Sequence, residues 1–332
     1  LAFSLCSAVA QGRGVPPRDP NILRYPPLTP EIRPAHAVTL LFSDSPERPR
    51  ESGLLYRDTL TGQARVLAYH ENGLGRDARL LVLARNPGHA PLVLTTEKRG
   101  SALTPNPDPV IGQQTLLRYF ASAPLAPRTV EAGAQVTLFD FGVLKANVVA
   151  SVMLDLSASA PVELSVVLLG ENERRAGANV QTLPALPRDA NHQRGTFPGA
   201  NRALKVALGE LPARLVLGGG SDVPLRGTDV LSGAPQVLLG NFGVLYDLEF
   251  TDARRGVLAL SARGGRYRGA ARVTDGARSS LVLLGAGRTL LDPAAPAFVW
   301  RARAESLRLR FVPANGSNLP VAFVLYPVGR EP

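Results

Sequence analysis

The chain has a single cysteine, Cys6, within its first ten residues, so no disulfide or thiolate metal site can brace the rest. Folding there rests on burial alone. Histidine is nearly as scarce: His36, His70, His89 and His192 are the four. No two of them make the His-X-His pair with which strands commonly present copper or zinc, so neither a metal centre nor any other cofactor is expected. Catalytic motifs are missing as well. The Gly-X-Ser-X-Gly elbow of serine hydrolases is absent. Ser43-Asp44-Ser45 and the pair Asp189 and His192 supply triad residue types, but in loops such residues mainly serve turns. Gly218-Gly219-Gly220-Ser221 lacks the Lys-Ser or Lys-Thr of a phosphate loop and reads as a flexible hairpin. Asp140, Asp155, Glu163, Asp229, Asp247 and Glu249 are strand-associated carboxylates, and nothing in the sequence pairs two of them across a cleft as glycosidases require. Finally, no apolar run after residue 10 approaches the roughly 20 residues of a membrane-spanning helix.

What the chain does have is turns and arginine. Its 332 residues suffice for two domains. The 45% apolar and 19% charged residues are those of a folded chain, and 32 Gly with 29 Pro argue against a helical bundle. The net charge is +10, and among the basic residues only Lys98, Lys145 and Lys205 are not arginine. Excess positive charge favours acidic polymers or anionic head groups. The arginines are scattered singly, without the clustered stacking aromatics of nucleic-acid binders, so no nucleic-acid partner is expected.

Residues 1 to 10 carry no charge and end in Ala8-Val9-Ala10 before the polar Gln11-Gly12-Arg13, which is how the tail of a secretory signal reads. Export is therefore expected. Lipidation at Cys6 would instead tether the chain, although Leu5 is bulky where a small residue belongs. Residues 11–35 contain Pro16, Pro17, Pro20, Pro26, Pro27, Pro30 and Pro34 and read as an extended, unpacked arm. From His36 onward, short apolar runs such as Val38 to Phe42, Leu54 to Tyr56, Ala64 to Tyr69 and Arg79 to Ala84 alternate with turn signals such as Asn72-Gly73. Leu116 to Phe120 fits a short helix or an edge strand. Residues 171–189 are polar and read as a linker or long loop. The fold class expected is all-β: two antiparallel β-sandwich domains, 36–170 and 190–329, behind the proline-rich arm. In Leu307-Arg308-Leu309-Arg310-Phe311 strict alternation puts apolar residues on one face and arginines on the other. A short echo links Gly53 to Asp58 with Gly243 to Asp247, and Phe-Gly-Val-Leu recurs at 141–144 and 242–245. These matches are too short to establish a repeat.

One segment combines a histidine, two arginines and an aromatic between Gly and Pro: His192-Gln193-Arg194-Gly195-Thr196-Phe197-Pro198-Gly199-Ala200-Asn201-Arg202. A rigid loop of this composition can present side chains to a ligand; the alternative is that Phe197 fills the core while Arg194 and Arg202 pair locally. With Ser43 to Glu47, Gly53 to Asp58, Gly240 to Tyr246 and Pro313 to Pro320, this segment resembles exported bacterial proteins labelled copper amine oxidase-like, or stalk-domain, surface proteins. The resemblance spans roughly residues 38–326 and implies secretion, a surface location and no established chemistry. It does not imply amine oxidation. The Asn-Tyr-Asp/Glu context of a quinone-forming tyrosine, the His-X-His copper pair and the stalk repeat are all missing. A non-catalytic, exported cell-envelope protein is expected, binding a wall polymer, surface layer or envelope partner. The contact residues expected are His192, Arg194, Phe197, Arg202 and Tyr246. The alternatives are a polysaccharide-active hydrolase, a copper-dependent redox protein, or an adaptor that assembles through its arm.

Overall fold

The computed structural model describes residues 18–105, 107–175, 179–285 and 290–327. Residues 1–17, with the expected signal tail, Cys6 and the first prolines of the arm, lie outside the described residues. The chain is mainly β, 51% strand and 7% helix, as its short alternating runs require. The first strands are β1 (Glu31–Arg33), β2 (Thr39–Ser43), β3 (Gly53–Glu71), β4 (Ala78–Arg85) and β5 (Leu92–Thr104). Helix α1 (Val110–Ala121) precedes β6 (Arg128–Val130), β7 (Gln135–Asp140) and β8 (Val149–Gly170). After α2 (Glu171–Arg175) come β9 (Arg194–Pro198), β10 (Asn201–Ala207), β11 (Ala213–Leu217), β12 (Leu225–Asp229) and β13 (Ala234–Leu238). The remainder are β14 (Leu245–Thr251), β15 (Val257–Ala262), β16 (Gly269–Asp275), β17 (Arg278–Leu284), β18 (Phe298–Arg301), β19 (Leu307–Phe311) and β20 (Val321–Tyr326).

The strands form three sheets. Six strands run β1-β10-β14-β19-β16-β17, and four run β11-β20-β15-β18. Ten belong to the third, ordered β13-β12-β9-β2-β3-β8-β4-β7 with β5 and β6 branching from β8. The sheets are not purely antiparallel as expected, because β2 runs parallel to β3 and β10 parallel to β14. Parallel neighbours need a long crossover. Between β10 and β14 the chain supplies one: it lays β11 in the four-stranded sheet and β12 and β13 in the ten-stranded sheet. Strands β9, β12 and β13 thus join the sheet built mainly by residues 39–170, although they follow 171–189 in the chain. That intervening segment holds α2 and is itself fastened to β3, through Leu54 N–H to Pro184 O and Leu186 N–H to Leu54 O, both 2.9 Å.

The two long strands β3 and β8 pair along their lengths with an irregularity between Leu60 and Gly62, where Gly62 adopts φ +75°. A bulge bends a strand and sharpens its twist. The two halves of the ribbon accordingly enclose one apolar cluster that includes Val66, Leu80, Leu154 and Leu164. A larger cluster lies between the six- and four-stranded sheets, with Leu248, Leu309 and Phe311 from the former and Leu215, Leu260 and Phe323 from the latter. It continues into Leu40, Leu67 and Met153 of the ten-stranded sheet and into Leu116 and Phe120 of α1. Leu116 to Phe120 is therefore helical, and α1 sits so close to β5 that a Cβ on Gly100 would lie 2.1 Å from Thr115 O.

The proline-rich segment is anchored at several points along its described part, contrary to the expectation of an unpacked arm, while most of residues 18–35 stay exposed. Ile22 is 1% exposed, and the Asp19 carboxylate accepts from Tyr25 and Tyr326 hydroxyls at 2.8 and 2.7 Å. Proline removed backbone donors without removing the apolar side chains between them. Further along, Arg214 N–H of β11 donates to Pro26 O (3.0 Å), Leu28 N–H donates to Arg214 O (2.7 Å), and β1 pairs antiparallel with β10. Residues 26–35 thus strap the edge of one sheet to the edge of the other.

The halves of the chain are also joined inside. Arg65 of β3 is fully buried and bonds Asp155 of β8 through Nε (2.7 Å) and Nη2 (2.8 Å). Its Nη1 donates to Ala200 O (3.1 Å) and Gly243 O (2.9 Å), which precede β10 and β14. Burial opposes the charge, but the Asp155 carboxylate outweighs it and the guanidinium pKa is pushed up. Asp155→Ala should cost about 3–5 kcal/mol in chemical denaturation, because it leaves that guanidinium buried and without its counter-ion.

Candidate functional site

The five expected contact residues separate into two groups. Phe197 of β9 is fully buried in the main core, and Arg194 is 4% exposed. Arg194 Nε pairs with the buried Asp229 carboxylate (3.1 Å), while Nη1 donates to Leu186 O (2.7 Å) and Leu55 O (3.0 Å). Neither side chain reaches a ligand in this arrangement. They face inward because β9 is an interior strand, flanked by β2 and β12. The alternative, Phe197 in the core with Arg194 and Arg202 paired locally, is what the chain adopts, Arg194 with Asp229 and Arg202 with Asp222.

His192 serves a loop clamp. Its Nδ1 lies 2.9 Å from Asp189 Oδ2 and its Nε2 lies 2.7 Å from Glu47 Oε2, so the ring bridges two carboxylates. Asp189 also accepts the backbone N–H groups of Glu47, His192 and Asn191. Burial alone would raise its pKa; those backbone donors and the His192 side chain overcome this and hold it near 2. Beside the clamp, Ser43 hydroxyl lies 2.9 Å from His70 Nε2, and His70 Nδ1 lies 2.9 Å from Pro46 O. A carbonyl can only accept, so Nδ1 carries the ring proton and Ser43 donates to Nε2. This is the bonding pattern of a nucleophile pair. Both residues are 0% exposed, however, and here the pair locks the end of β2 to β3. Ser43 thus meets His70, not His192, and Asp189 meets His192.

Arg202 and Tyr246 do come together. The parallel register of β10 and β14 sets them opposite each other, with the guanidinium carbon 5.8 Å from the ring centre. Both bind Asp222: Arg202 through Nη1 to Oδ1, and Tyr246 by donating its hydroxyl to Oδ2 at 2.5 Å. Burial first, then the Asp222 charge, pushes the phenol pKa up, which keeps it a donor. Asp222 Oδ2 further accepts from Gly218 N–H (2.7 Å) and Asn241 Nδ2 (3.1 Å). One carboxylate therefore organises the glycine-rich loop 218–222.

This network forms a wall of a cleft of about 550 Å³ between β10 and β11, beneath the strap. Leu28, Ile32, Leu215 and Val223 give it apolar sides, and Arg33, Asn201 and Arg202 give it polar ones. A second cleft of about 520 Å³ shares Arg33, Asn201 and Arg202 and extends over β14 and β19, where His36, Asp247, Glu249, Arg308 and Arg310 line it. Asn201 Oδ1 is buried without a hydrogen-bond partner at the junction of the two. Arg308 and Arg310 share the single carboxylate Asp247, at 3.4 and 3.5 Å, and remain about half exposed. Alternation along β19 points both arginines outward, as the sequence pattern requires. Asn201, Asp222 and Arg33 carry no signal of this kind: each becomes part of the site only through strand pairing or a loop turn. Among the described residues, no group of three or more His, Cys, Asp or Glu is arranged to hold a metal ion.

Burial holds the His70 pKa down to about 4, against its ordinary 6.5. Between those values the unfolded chain binds the proton that the folded chain refuses, so acid destabilises the fold over that window. Relative to His70→Gln, the protein should lose about 3 kcal/mol more stability between pH 7 and pH 4, measured by denaturant titration at each pH.

No family model matches the chain, and no curated protein matches it. Among solved structures, the CUB1-EGF-CUB2 domain of human MASP-1/3 aligns with 8% identity over 81% of this chain and 98% of that one, at a TM-score of 0.21. A score that low carries no argument about fold or function.

Proposed function

We propose that the protein is an exported, non-catalytic binding protein of the bacterial cell envelope, with two β-sandwich units, whose ligand is an acidic, hydroxyl-rich polymer. The observation that carries this reading is the pair of adjoining clefts flanking β10. Their lining suits such a ligand group by group. Asn201 Oδ1 is an acceptor awaiting a hydroxyl, and Asp247 and Glu249 offer further acceptors. Arg308 and Arg310, with one carboxylate between them, have capacity left for an acid group. The net charge of +10 favours the same partner at longer range. The uncharged first ten residues ending in Ala8-Val9-Ala10 support export, and the resemblance to stalk-domain surface proteins supports the envelope. A hydrolytic reading built on Ser43 and His70 would need both to reach solvent, whereas each is fully buried.

The test is co-sedimentation with isolated cell envelopes and with immobilised polygalacturonate, using neutral dextran as control. The protein should bind the first two at low salt, ignore dextran, and be released by about 0.5 M salt as screening shortens the reach of its charges. Arg308→Ser combined with Arg310→Ser should weaken binding about tenfold, equivalent to about 1.4 kcal/mol. A protein that stays soluble with both acidic materials at low salt refutes the proposal.

A further inference from the structure

The outer face of the four-stranded sheet carries an arginine, Arg214, two of whose buried nitrogens have no hydrogen-bond partner among the described residues. In β11, Leu215 and Leu217 point into the main core, so alternation sends Arg214 and Val216 to the opposite side. The Arg214 backbone is satisfied by the strap. Its side chain is not: Nε and Nη1 are buried and bonded to nothing. Register sets Arg214 beside Val324 and, one strand further, Ala259. Along β15 the same alternation runs from Ala259 through Ser261 to Arg263, just past the strand end. The row separating the two arginines is Val216, Ala322 and Ser261, of which the last two are small and buried, Ser261 donating to Pro293 O at 2.6 Å. Burial, and then the Arg214 guanidinium itself, hold the Arg263 pKa below the ordinary arginine value, so each cation lies in the other's field.

A half-buried guanidinium with two nitrogens shut from water and unbonded carries a desolvation cost, and a like charge nearby adds to it. A bound oxyanion relieves both, since it accepts from the free N–H groups and neutralises the pair. We propose that Arg214 and Arg263 form a binding site for a compact oxyanion, a phosphate or carboxylate group, on the outer face of the four-stranded sheet. The site shares no lining residue with the cleft over β14 and β19, although Val216 also borders the cleft between β10 and β11.

Thermal unfolding of the full chain at constant ionic strength reads this site, with chloride, acetate or inorganic phosphate as the added anion. Phosphate or acetate should raise the midpoint by about 2 °C or more over chloride, and whichever does so identifies the group. Arg214→Met should abolish that gain while being no less stable than wild type in chloride, because it deletes two buried nitrogens that make no hydrogen bond among the described residues. Arg263→Met, at a more open position, should lose most of the gain and serves if the first variant does not fold. Arg308→Ser should keep the gain in full, which separates this site from the cleft over β14 and β19. No gain with either anion, or an equal gain in Arg214→Met and Arg263→Met, overturns the proposal.

Discussion

The buried guanidinium of Arg65 is the constraint on which the rest of the molecule depends. A cation removed from water must find acceptors in fixed positions, and Arg65 finds them in both halves of the chain: Asp155 in the ten-stranded sheet, and the carbonyls of Ala200 and Gly243 beyond it. Those two carbonyls stand at the entrances to β10 and β14. Fixing both entrances with one side chain fixes the parallel pair, and the parallel pair brings Arg202 against Tyr246. The cleft wall is thus positioned from inside the core. Tyr119 of α1 completes the arrangement by donating to Asp155 Oδ2 at 2.7 Å, so the helix is tied to the same point.

The β character of the chain was legible because alternation and turn residues are local signals. Its longest elements were not. Leu54 to Tyr56 and Ala64 to Tyr69 read as separate runs; in the fold they belong to one strand, β3, with Gly62 at φ +75° between them. β8 likewise runs through Pro161, a residue type that more often bounds a strand. Leu116 to Phe120 is too short for period alone to decide, and contact with β5 and the core made it helical. Strands β9, β12 and β13 lie in a sheet begun more than a hundred residues earlier, a pairing to which no local pattern points.

The candidate site divides along the same line. Arg308 and Arg310 were readable from strict alternation in β19. Arg202 and Tyr246 were each recognisable as unusual, but their juxtaposition follows from register, a tertiary property. Arg194 and Phe197 sit among Gly and Pro residues, the composition of a presenting loop, yet close packing also accounts for Gly195: a Cβ there would lie 3.1 Å from the Phe197 ring and from Thr228 O. Asp222 was hidden just after Gly218 to Ser221, which read as a flexible hairpin. Its carboxylate gives that loop a definite shape by taking bonds from Gly218, Asn241, Tyr246 and Arg202.

The strap has a meaning beyond roofing a cleft. A sheet edge is a row of unpaired amides and carbonyls that can recruit any extended chain, including another copy of the same protein. Residues 26–35 occupy the open sides of β10 and β11 at once, and they do so with a strand only three residues long, Glu31–Arg33, bounded by Pro30 and Pro34. The new edge that β1 presents is short, charged and closed at either end by residues with no N–H. Two edges that could have propagated a sheet from molecule to molecule are replaced by one that cannot, and the proline content that makes this segment a poor strand is what makes it a good terminus.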